Sequence, residues 1–371
     1  MIIIKKKIIF GITSLTLGGA ERVLVDISNE LCDTYDVTIF SIYDNGELKK
    51  ELNPSIHFKA LYNCRYDELN SMQKMWSPIR ILLFAKAIYK KYIKGDYDAE
   101  VSFLEGPITR LFSQKNNTSK KIVWVHNDIK YVFGNNLKSK LKKLIDKKIY
   151  KRYDDIVFVS KENMKSFQEI YTDIDKSKMS VIYNYIDSDL VRKKADEYTT
   201  ELKDCKNIKF VTVCRLVEQK AIDRLIKVHK RIIDEGLMHE FFIIGDGPER
   251  SKLEQLIKEN KVESTFHLLG KKENPYPYIK EADYFCLLSY FEGYGMVLEE
   301  AKILNKKIII TDTAAKEALE GYRGFVLIDN NDESIYNVLS QIINGATKID
   351  SNVDISVESK SIKRIIELLD K

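Results

Sequence analysis

The sequence predicts an α/β protein built from two doubly wound domains in tandem. The chain has 371 residues, more than the roughly 100–200 that one domain usually takes. Hydrophobic residues make up 44% of it, with six prolines and 16 glycines, which is the composition of a folded globular protein. Short apolar runs alternate with helical patterns almost throughout, as expected for parallel sheets covered by helices on both faces.

Apolar runs of strand length form two series along the chain. The first comprises residues 7–12, 36–41, 99–103, 121–125, 155–159 and 180–183, and the second comprises 208–213, 240–244, 265–269, 283–288, 307–311 and 324–327. Residues 187–207 between them are polar and charged, which is typical of a domain junction. We therefore predict domains at 1–190 and 191–371, with the final helix packing back on the first domain. Ligands of such sheets bind at the carboxyl ends of the strands, so we expect a central cleft faced by both domains.

The charge and cysteine content exclude several classes of protein. A formal charge of +5, from 60 basic and 55 acidic residues, is too small to indicate a nucleic-acid partner. Five scattered cysteines without a CxxC pair predict reduced thiols in a cytosolic protein and no structural zinc site. No run approaches the roughly 18 apolar residues that span a bilayer, so any membrane contact should be peripheral. The start superficially resembles a signal peptide, but a first strand followed by a glycine turn explains it better.

Residues 289–301 give the strongest chemical signal. They follow an apolar strand, carry Gly293 and Gly295, and place seven residues between Glu292 and Glu300. A strand end, a glycine turn and a helix start offer an anion unpaired backbone N–H groups and the positive end of a helix dipole, and phosphate fits that position. Two carboxylates beside it suit hydrogen bonds from sugar hydroxyls. The alternative is a pair of solvated acids around a turn.

A pair of cations follows the first strand of the second series. Arg215 and Lys220 lie between that strand and a helix, where they could neutralise a diphosphate and its departing charge without a metal. Two ordinary surface cations are the alternative. Asp-x-Asp strings at 173–175 and 187–189 could instead bind a metal that bridges a diphosphate, but they lie in a polar connection and at the domain junction.

The first half contributes two further candidates. Gly18 and Gly19 separate a strand from a helix, so the backbone there can approach a phosphate or a sugar closely, unless the pair is only a tight turn. His126 ends the strand at 121–125 and should point from the carboxyl edge of the sheet into the cleft. A lone histidine is otherwise more often structural.

Together these motifs resemble the family 4 glycosyltransferases. Residues 289–301 match the E-x7-E signature of that family, 245–248 its G-x-G-P turn, 18–21 its GGxE loop and 184–187 its N-G-x-D segment. The resemblance covers nearly the whole chain. Ala221 and Tyr185 depart from it, because the family has glycine at both positions, and a side chain there requires an ordinary φ.

The resemblance implies the GT-B fold and a retaining transfer of a sugar from a nucleotide diphosphate sugar, UDP-linked, to a hydroxyl acceptor. It implies that Arg215 and Lys220 hold the donor diphosphate, with no metal and no other cofactor. Glu300 would hold the ribose and Glu292 the donor sugar, which His126 positions near the reacting carbon, so Glu292 and His126 are the candidate catalytic residues. Further candidate substrate contacts are Gly18, Gly19, Gly293, Tyr294, Gly295, Met296 and Val297.

By the same resemblance, the acceptor is a glycan or lipid-linked glycan of bacterial surface polysaccharide synthesis. The protein would then be cytoplasmic and peripheral at the inner face of the membrane. Two alternatives stay open. A nucleotide-sugar epimerase on the same fold would need further acid and base groups, which we do not find in the sequence. A catalytically silent GT-B partner subunit would not need all four of Arg215, Lys220, Glu292 and Glu300.

A basic helix is predicted over residues 136–152. Its apolar residues follow helical spacing and should pack on the first sheet: Leu137, Leu141, Leu144, Ile145 and Ile149. The other face carries seven lysines and one arginine against the single acid Asp146. That face either serves solubility or attracts an anionic membrane surface, which would hold the enzyme beside a lipid-linked acceptor.

Overall fold

The computed structural model describes residues 5–16, 18–44, 46–66, 68–116, 118–127, 137–349 and 360–371, without the side chains of residues 78, 82, 137–141 and 360. The chain divides into two compact units. The first comprises residues 1–185 together with 359–371, and the second comprises residues 186–358. Each unit has its own sheet and its own hydrophobic core. Within the described ranges, no helix is both long and apolar enough to cross a membrane.

The sheet of the first unit has seven strands, all parallel. They are β1 (Lys7–Ile12), β2 (Asp36–Tyr43), β3 (His57–Tyr62), β4 (Ala99–Ser102), β5 (Lys120–Val125), β6 (Asp155–Phe158) and β7 (Met179–Val181). Their order across the sheet is β3-β2-β1-β4-β5-β6-β7. The inner strands are almost continuously apolar and buried on both faces, as a parallel sheet covered on both sides requires.

In the described part of the first unit, five α-helices connect these strands. They are α1 (Gly19–Leu31), α2 (Ser71–Ile88), α3 (Pro107–Phe112), α4 (Leu137–Tyr150) and α5 (Lys161–Ile170). Ile81 of α2, Leu111 of α3 and Ile149 of α4 are buried in one cluster with Phe40 and Val123 of the sheet. These three helices therefore cover the same face of the sheet.

The second unit repeats the architecture with six parallel strands. These are β8 (Ile208–Val213), β9 (His239–Ile244), β10 (Phe266–Gly270), β11 (Tyr284–Leu287), β12 (Lys307–Thr311) and β13 (Phe325–Ile328), in the order β10-β9-β8-β11-β12-β13. Its helices are α6 (Ser188–Ala195), α7 (Ile222–Asp234), α8 (Arg250–Glu259), α9 (Tyr276–Glu281), α10 (Met296–Ile303) and α11 (Asp332–Ile343). Phe210, Phe241 and Ile309 of the sheet pack in its core with Leu225 of α7 and Leu339 of α11.

The last helix, α12 (Lys360–Asp370), packs on the first unit. The Asp370 carboxylate pairs with the Lys6 ammonium at 2.9 Å and accepts a hydrogen bond from the Tyr35 hydroxyl at 3.1 Å. Ile365 of the same helix is fully buried. The first unit is therefore assembled from both ends of the described chain.

The two predicted series of strands are confirmed, each strand lying within a few residues of its predicted place. The strand β3 was not predicted. It contains no β-branched residue, its exposure alternates, and it pairs only with β2 at the edge of the sheet. An edge strand of this composition does not give the continuous apolar run of a central strand.

Each sheet reverses its strand order beside its first strand. In the second unit, β8 lies between β9 and β11. The loops that leave β8 and β11 diverge at such a switch point and leave a crevice at the carboxyl edge of the sheet. The strand order thus brings together Lys220, which follows β8, and Glu292, which follows β11, although they are 72 positions apart in the sequence.

Candidate active site

The loops after β8 and β11 are bonded to each other through backbone and side-chain groups. The Tyr290 N–H donates to the Gln219 carbonyl oxygen at 2.9 Å, and the Gln219 side-chain amide donates to the Phe291 carbonyl oxygen at 2.8 Å. The Lys220 ammonium forms an ion pair with the Glu292 carboxylate. Two residues that the sequence singled out separately are therefore direct partners in one site.

The Lys220–Glu292 pair is largely shielded from solvent. The two side chains are 17% and 8% exposed, and Glu292 also accepts a hydrogen bond from the Ser289 hydroxyl at 2.9 Å. The half-buried Cys214 lies near both charges. Its pKa is raised to about 12, mainly by burial and further by Glu292, while Lys220 opposes the shift. Glu292 thus fixes the lysine ammonium at the carboxyl edge of the sheet.

Arg215 occupies the other side of the same loop. Its side chain is exposed, and no ion pair or side-chain hydrogen bond joins it to another of the residues that the structure describes. The backbone beneath it is well anchored, because the Leu216 N–H donates to the Asp246 carbonyl oxygen at 3.0 Å. Arg215 is therefore an exposed guanidinium on an anchored loop, suited to binding an incoming anion.

The glycine turn at 245–248 packs directly on that loop. A Cβ on Gly245 would lie 1.8 Å from the Cys214 carbonyl oxygen, and one on Gly247 would lie 2.3 Å from the Leu216 carbonyl oxygen. Gly245 also has φ +140°, which side chains rarely adopt. The glycines allow two backbone segments to touch, so this turn shapes the site rather than binding a ligand through side chains.

The helix α10 begins beside the pair. Gly295 is its N-cap with φ +71°, and no described side chain accepts a hydrogen bond at this end. The N–H groups of Met296 and Val297 lie in the first turn, where a helix has no internal acceptors for them. Tyr294 is buried and donates from its hydroxyl to Glu299 at 2.7 Å. The side chain of Tyr294 therefore supports the turn, and the backbone of the turn is the part available to an anion.

The neighbouring glutamates of α10 differ in their surroundings. Glu299 pairs with Lys302 at 2.7 Å and accepts from Tyr294, so its contacts lie within the helix and its turn. Glu300 accepts a hydrogen bond from the hydroxyl of Tyr276, the first residue of α9, at 3.2 Å. Tyr276 was not predicted as a site residue, because nothing in its local sequence indicates that α9 lies beside α10.

A buried arginine that the sequence analysis missed braces the loop after β11. The Arg224 guanidinium is 4% exposed and donates to the Leu288 carbonyl oxygen at 2.6 Å and to the Asn330 side-chain oxygen at 2.9 Å. The guanidinium also lies 4.5 Å from the centroid of the Tyr290 ring. The backbone carbonyl oxygen of Tyr290 accepts a hydrogen bond from the Asn330 side-chain amide at 2.7 Å. The sequence did contain a signal for this residue, because a charged side chain lies on the apolar face of α7 between Ile222 and Leu225.

In the first unit, His126 directly follows β5. Its Nε2 atom is buried and has no hydrogen-bond partner among the described residues, while the ring donates to the Phe103 carbonyl. Burial lowers the pKa of the imidazole to about 3, so the ring is neutral at physiological pH. With its one N–H engaged, the ring presents Nε2 as a bare acceptor for a hydroxyl group.

Glu105 lies beside this histidine and was also missed. Its carboxylate accepts from the Asn127 N–H at 2.7 Å and from the Asn127 side-chain amide at 3.1 Å. Burial raises the pKa of the carboxyl group, against the effect of these hydrogen bonds. The following residue, Gly106, has φ +97° and turns the chain into α3.

The predicted glycine pair begins α1. Gly18 is the N-cap of the helix, Gly19 is its first residue, and the Arg22 N–H donates to the Gly18 carbonyl oxygen at 3.0 Å. A Cβ on Gly18 would lie 2.2 Å from a carboxylate oxygen of Glu21, whose pKa is raised by burial. The glycine therefore allows this glutamate to fold back over the start of the helix.

A pocket of about 300 Å³ opens at the carboxyl ends of β1 and β2 in the same unit. Its lining includes Thr13, Ser14, Tyr43 and Tyr66. The inner face of α2 completes it through Ser77, whose hydroxyl is 2.7 Å from that of Tyr43. The first unit thus carries a largely apolar pocket edged by hydroxyl groups.

The two departures from the family pattern have different outcomes. Tyr185 has no positive φ, as expected for a side chain at that position. The expectation for Ala221 was wrong, because it has φ +54° and is the N-cap of α7. A left-handed alanine costs roughly 1–2 kcal/mol. The chain must turn sharply here, between the short helical turn Glu218–Lys220 and α7.

The Asp-x-Asp strings have structural contacts. Asp187 caps α6 by accepting from the Leu190 N–H at 2.9 Å, Asp173 pairs with Lys147, and Asp175 accepts from the Ser177 N–H at 2.9 Å. Among the described residues, no group of three or more histidine, cysteine or acidic side chains is arranged to hold a metal ion.

The fold consists of two doubly wound α/β units in tandem, each with a parallel sheet. This is the GT-B architecture that the sequence predicted. Solved structures with this fold are similar over nearly the whole chain. The Anabaena protein HepE in complex with UDP and glucose superposes with a TM-score of 0.73 at 16% identity, over 98% of this chain and 99% of that protein. TarM superposes with a TM-score of 0.73 at 13% identity, over 100% and 99% of the two chains.

Sequence comparisons identify the family. The model described as Glycosyltransferase Family 4 matches residues 17–190, and the model described as Glycosyl transferases group 1 matches residues 195–356. An uncharacterized glycosyltransferase of Methanocaldococcus jannaschii is 30% identical over 303 residues, 77% of this chain and 71% of that protein. The chain belongs to the family 4 glycosyltransferases and is a glycosyltransferase.

A second relative comes from Campylobacter jejuni. It is N-acetylgalactosamine-N,N'-diacetylbacillosaminyl-diphospho-undecaprenol 4-alpha-N-acetylgalactosaminyltransferase, which is 28% identical over 349 residues, 90% of this chain and 88% of that enzyme. Its name describes a sugar transferred to a glycan carried on a polyprenyl diphosphate.

Proposed function

We propose that this glycosyltransferase transfers a sugar from a UDP-linked donor to a hydroxyl group of a lipid-linked glycan, with retention of the anomeric configuration. The observation that carries the proposal is the ion pair of Lys220 and Glu292 at the switch point of the second sheet, beside Arg215 and the start of α10. Two cations and a helix N-terminus form a site for a diphosphate, and the adjoining carboxylates suit the hydroxyl groups of a sugar nucleotide.

The departure of the donor diphosphate is the step that these groups would assist. As the bond from the anomeric carbon to the diphosphate oxygen breaks, negative charge develops on that oxygen. Lys220 is already held in place by Glu292, so little reorganisation is needed to stabilise that charge. Arg215 would close on the diphosphate from solvent, and the N–H groups of Met296 and Val297 would complete its surroundings.

The carboxylates and the histidine would orient the rest of the donor. Glu300, with Tyr276 as its partner, would accept hydrogen bonds from the ribose hydroxyls. Glu292 would bind the donor sugar while it holds Lys220. The bare Nε2 of His126 would accept from a sugar hydroxyl and so place the anomeric carbon. Because the imidazole is neutral, we assign it to positioning rather than to charge stabilisation.

The acceptor would bind to the first unit. The pocket beside Tyr43 and Tyr66 has aromatic walls for a sugar ring or an isoprenoid, and hydroxyl groups of Thr13 and Ser14 at its edge. The relative from Campylobacter jejuni, whose name specifies a diphospho-undecaprenol acceptor, supports a lipid-linked substrate. Relatives named as O-antigen biosynthesis glycosyltransferases support a role in bacterial surface polysaccharide synthesis.

An acceptor of this kind would keep the enzyme at the inner face of the cell membrane. The basic helix predicted at 136–152 remains our proposal for an electrostatic contact, although residue 136 and the side chains of 137–141 lie outside the described part. The prediction that Leu144 and Ile145 pack on the sheet was wrong, whereas the prediction for Ile149 is confirmed. Ile149 is buried, but Leu144 and Ile145 are 59% and 40% exposed, because the helix packs through its C-terminal end.

The proposal is tested by incubating the purified protein with a panel of UDP-sugars and polyprenyl-diphosphate-linked glycans, and measuring UDP release and the anomeric configuration of the product. Glu300→Gln should lower turnover at least about 100-fold without changing Tm, while Glu259→Gln on the exposed face of α8 should not. Turnover should persist with excess EDTA. Loss with EDTA that manganese restores, or an inverted product, would contradict the proposed mechanism.

A further inference from the structure

The helix α2 is apolar on both of its faces. Its inner face buries Ser77, Ile81 and Ile88, all of them 5% exposed or less. Its outer face carries a continuous stripe of large apolar side chains at helical spacing. These are Met72 at 68% exposure, Met75 at 60%, Trp76 at 52%, Ile79 at 38% and Leu83 at 66%, and Phe84 at 57% follows at a kink where the backbone is not helical. A helix with two apolar faces normally has something packed on each of them.

The charges within the segment that carries this stripe are all of one sign. Residues 71–95 contain five lysines and one arginine and no acidic residue. Lys86 and Lys90 are exposed near the end of the helix, and Arg80 lies beside the stripe with its guanidinium over the Tyr62 ring at 5.3 Å. An apolar stripe bordered by cations matches the interface of an anionic bilayer, where acyl chains lie beneath negative headgroups.

A second exposed apolar pair lies on the same side of the first unit. The helix α3 packs against α2, and its Arg110 pairs with Asp146 of α4 at 3.2 Å. The helices α2 and α4 thus cover the same face of the sheet, and Leu144 and Ile145 are exposed on α4. The helices α2 and α4, which both contact α3, thus expose apolar residues together with lysines.

We propose that the outer face of α2 inserts into the interfacial region of an anionic lipid bilayer, with α4 as a secondary contact. The helix would lie in the plane of the membrane, with its apolar stripe about 5–10 Å below the headgroup level. Trp76 would sit at the boundary between headgroups and acyl chains, which indole rings favour. Apolar insertion of α2 supplies most of the affinity of this surface, and the basic face of 136–152, which belongs to α4, adds attraction by charge.

The inner face of the same helix lines the pocket beside Tyr43 through Ser77 and Ile81. One helix would then contact the membrane on one side and the pocket on the other. Membrane insertion does not depend on the proposed sugar transfer, and its test needs no substrate.

Trp76 provides the measurement. The chain has two tryptophans, and Trp124 is 1% exposed, so a change in emission on membrane binding reports Trp76. With vesicles of phosphatidylglycerol and phosphatidylcholine we expect a blue shift, and quenching when the acyl chains are brominated. Trp76→Phe should remove both effects. The paired change Met75→Gln with Leu83→Gln should weaken binding at least about tenfold, since glutamine keeps the helix but not the apolar surface.

The controls separate insertion from attraction by charge. Met238→Gln removes a 51% exposed apolar side chain from the second unit and should leave binding unchanged. Lys86→Glu with Lys90→Glu should weaken binding to anionic vesicles more than to neutral ones. High salt should reduce the affinity without abolishing the quenching of Trp76.

The opposite result would overturn the proposal. Vesicle binding without any change in Trp76 emission would show that α2 stays outside the membrane. A dimer in sedimentation velocity that Met75→Gln with Leu83→Gln dissociates, together with unquenched Trp76 on vesicles, would assign the stripe to a second copy of the chain. Equal Tm values for the variants and the unmodified protein exclude misfolding as the cause.

Discussion

Replacing Lys220 by alanine should have a structural effect and a catalytic effect that can be measured separately. The substitution leaves Glu292, which is 8% exposed, with the Ser289 hydroxyl as its remaining described donor. Losing a charged partner there should cost about 1–2 kcal/mol, less than in a fully buried pair because Lys220 is itself 17% exposed. For a unit of the size of 186–358, that corresponds to a Tm lower by about 2–8 °C.

The catalytic effect should be larger. Lys220 would stabilise the charge of the leaving diphosphate, so its loss should lower turnover about 100- to 1,000-fold. The double variant Lys220→Ala with Glu292→Gln no longer contains an uncompensated carboxylate, and its Tm should return close to that of the unmodified protein. Its turnover should stay low, because neither group is restored. Calorimetry and UDP release on the same preparations measure both effects.

The control is a lysine in an exposed ion pair. Lys230 pairs with Asp234 on the surface of α7, and Lys230→Ala should change the stability by less than about 0.5 kcal/mol and leave turnover unaltered. Normal turnover of Lys220→Ala would remove the lysine from the proposed site. A double variant no more stable than Lys220→Ala alone would refute the argument that the pair is energetically coupled.

Three further predictions concern the same unit. Gly245→Ala places a Cβ 1.8 Å from a backbone oxygen and should lower the free energy of unfolding by about 3 kcal/mol or more in urea melts. The control Gly236→Ala, at φ +81° with nothing within 4 Å of its Cβ, should cost only about 1–2 kcal/mol. Equal losses for the two variants would contradict the steric argument. Arg224→Met should raise the KM for the donor roughly tenfold with a smaller change in kcat, because the substitution releases the loop after β11. A change in kcat alone would assign Arg224 a different role. Burial lowers the pKa values of His229 and His239 to about 2 and about 4, so on acidification their imidazoles take up protons in the unfolded chain before they do so in the folded one. The contribution of this pair to the free energy of unfolding should therefore be complete above pH 6.5 and fall as the pH is lowered towards 4. A stability that does not change between pH 7 and 4 would refute this prediction.

Periodicity was sufficient to predict most of the fold, because parallel strands are buried on both faces and read as continuous apolar runs. The prediction failed where burial is one-sided. The edge strand β3 has one neighbour and no β-branched residue. Leu144 and Ile145 have the spacing of a packing face, yet they are exposed on α4. Spacing shows which residues share a face but does not show what lies against that face.

The sequence predicted most residues of the candidate site but not the contacts between them. Lys220 and Glu292 were both identified from local motifs, but their ion pair depends on β8 lying next to β11, and strand order is not encoded in a local motif. Arg224 and Asn330 were missed for the same reason, since their roles arise only where α7 meets the loop after β11. The acceptor character of His126 depends on its tautomer, which the Phe103 carbonyl sets.

The position of α12 in the chain constrains the order of folding. This helix completes the first unit through Ile365 and through the contacts of Asp370 with Lys6 and Tyr35, yet all of residues 186–358 precede it in synthesis. Domains generally fold in the order in which the ribosome releases them. Here the first sheet emerges early, with the surface that α12 will cover still open, and the second unit has the opportunity to fold before the first is finished. Closing of the amino-terminal half therefore has to wait until α12 has been synthesised.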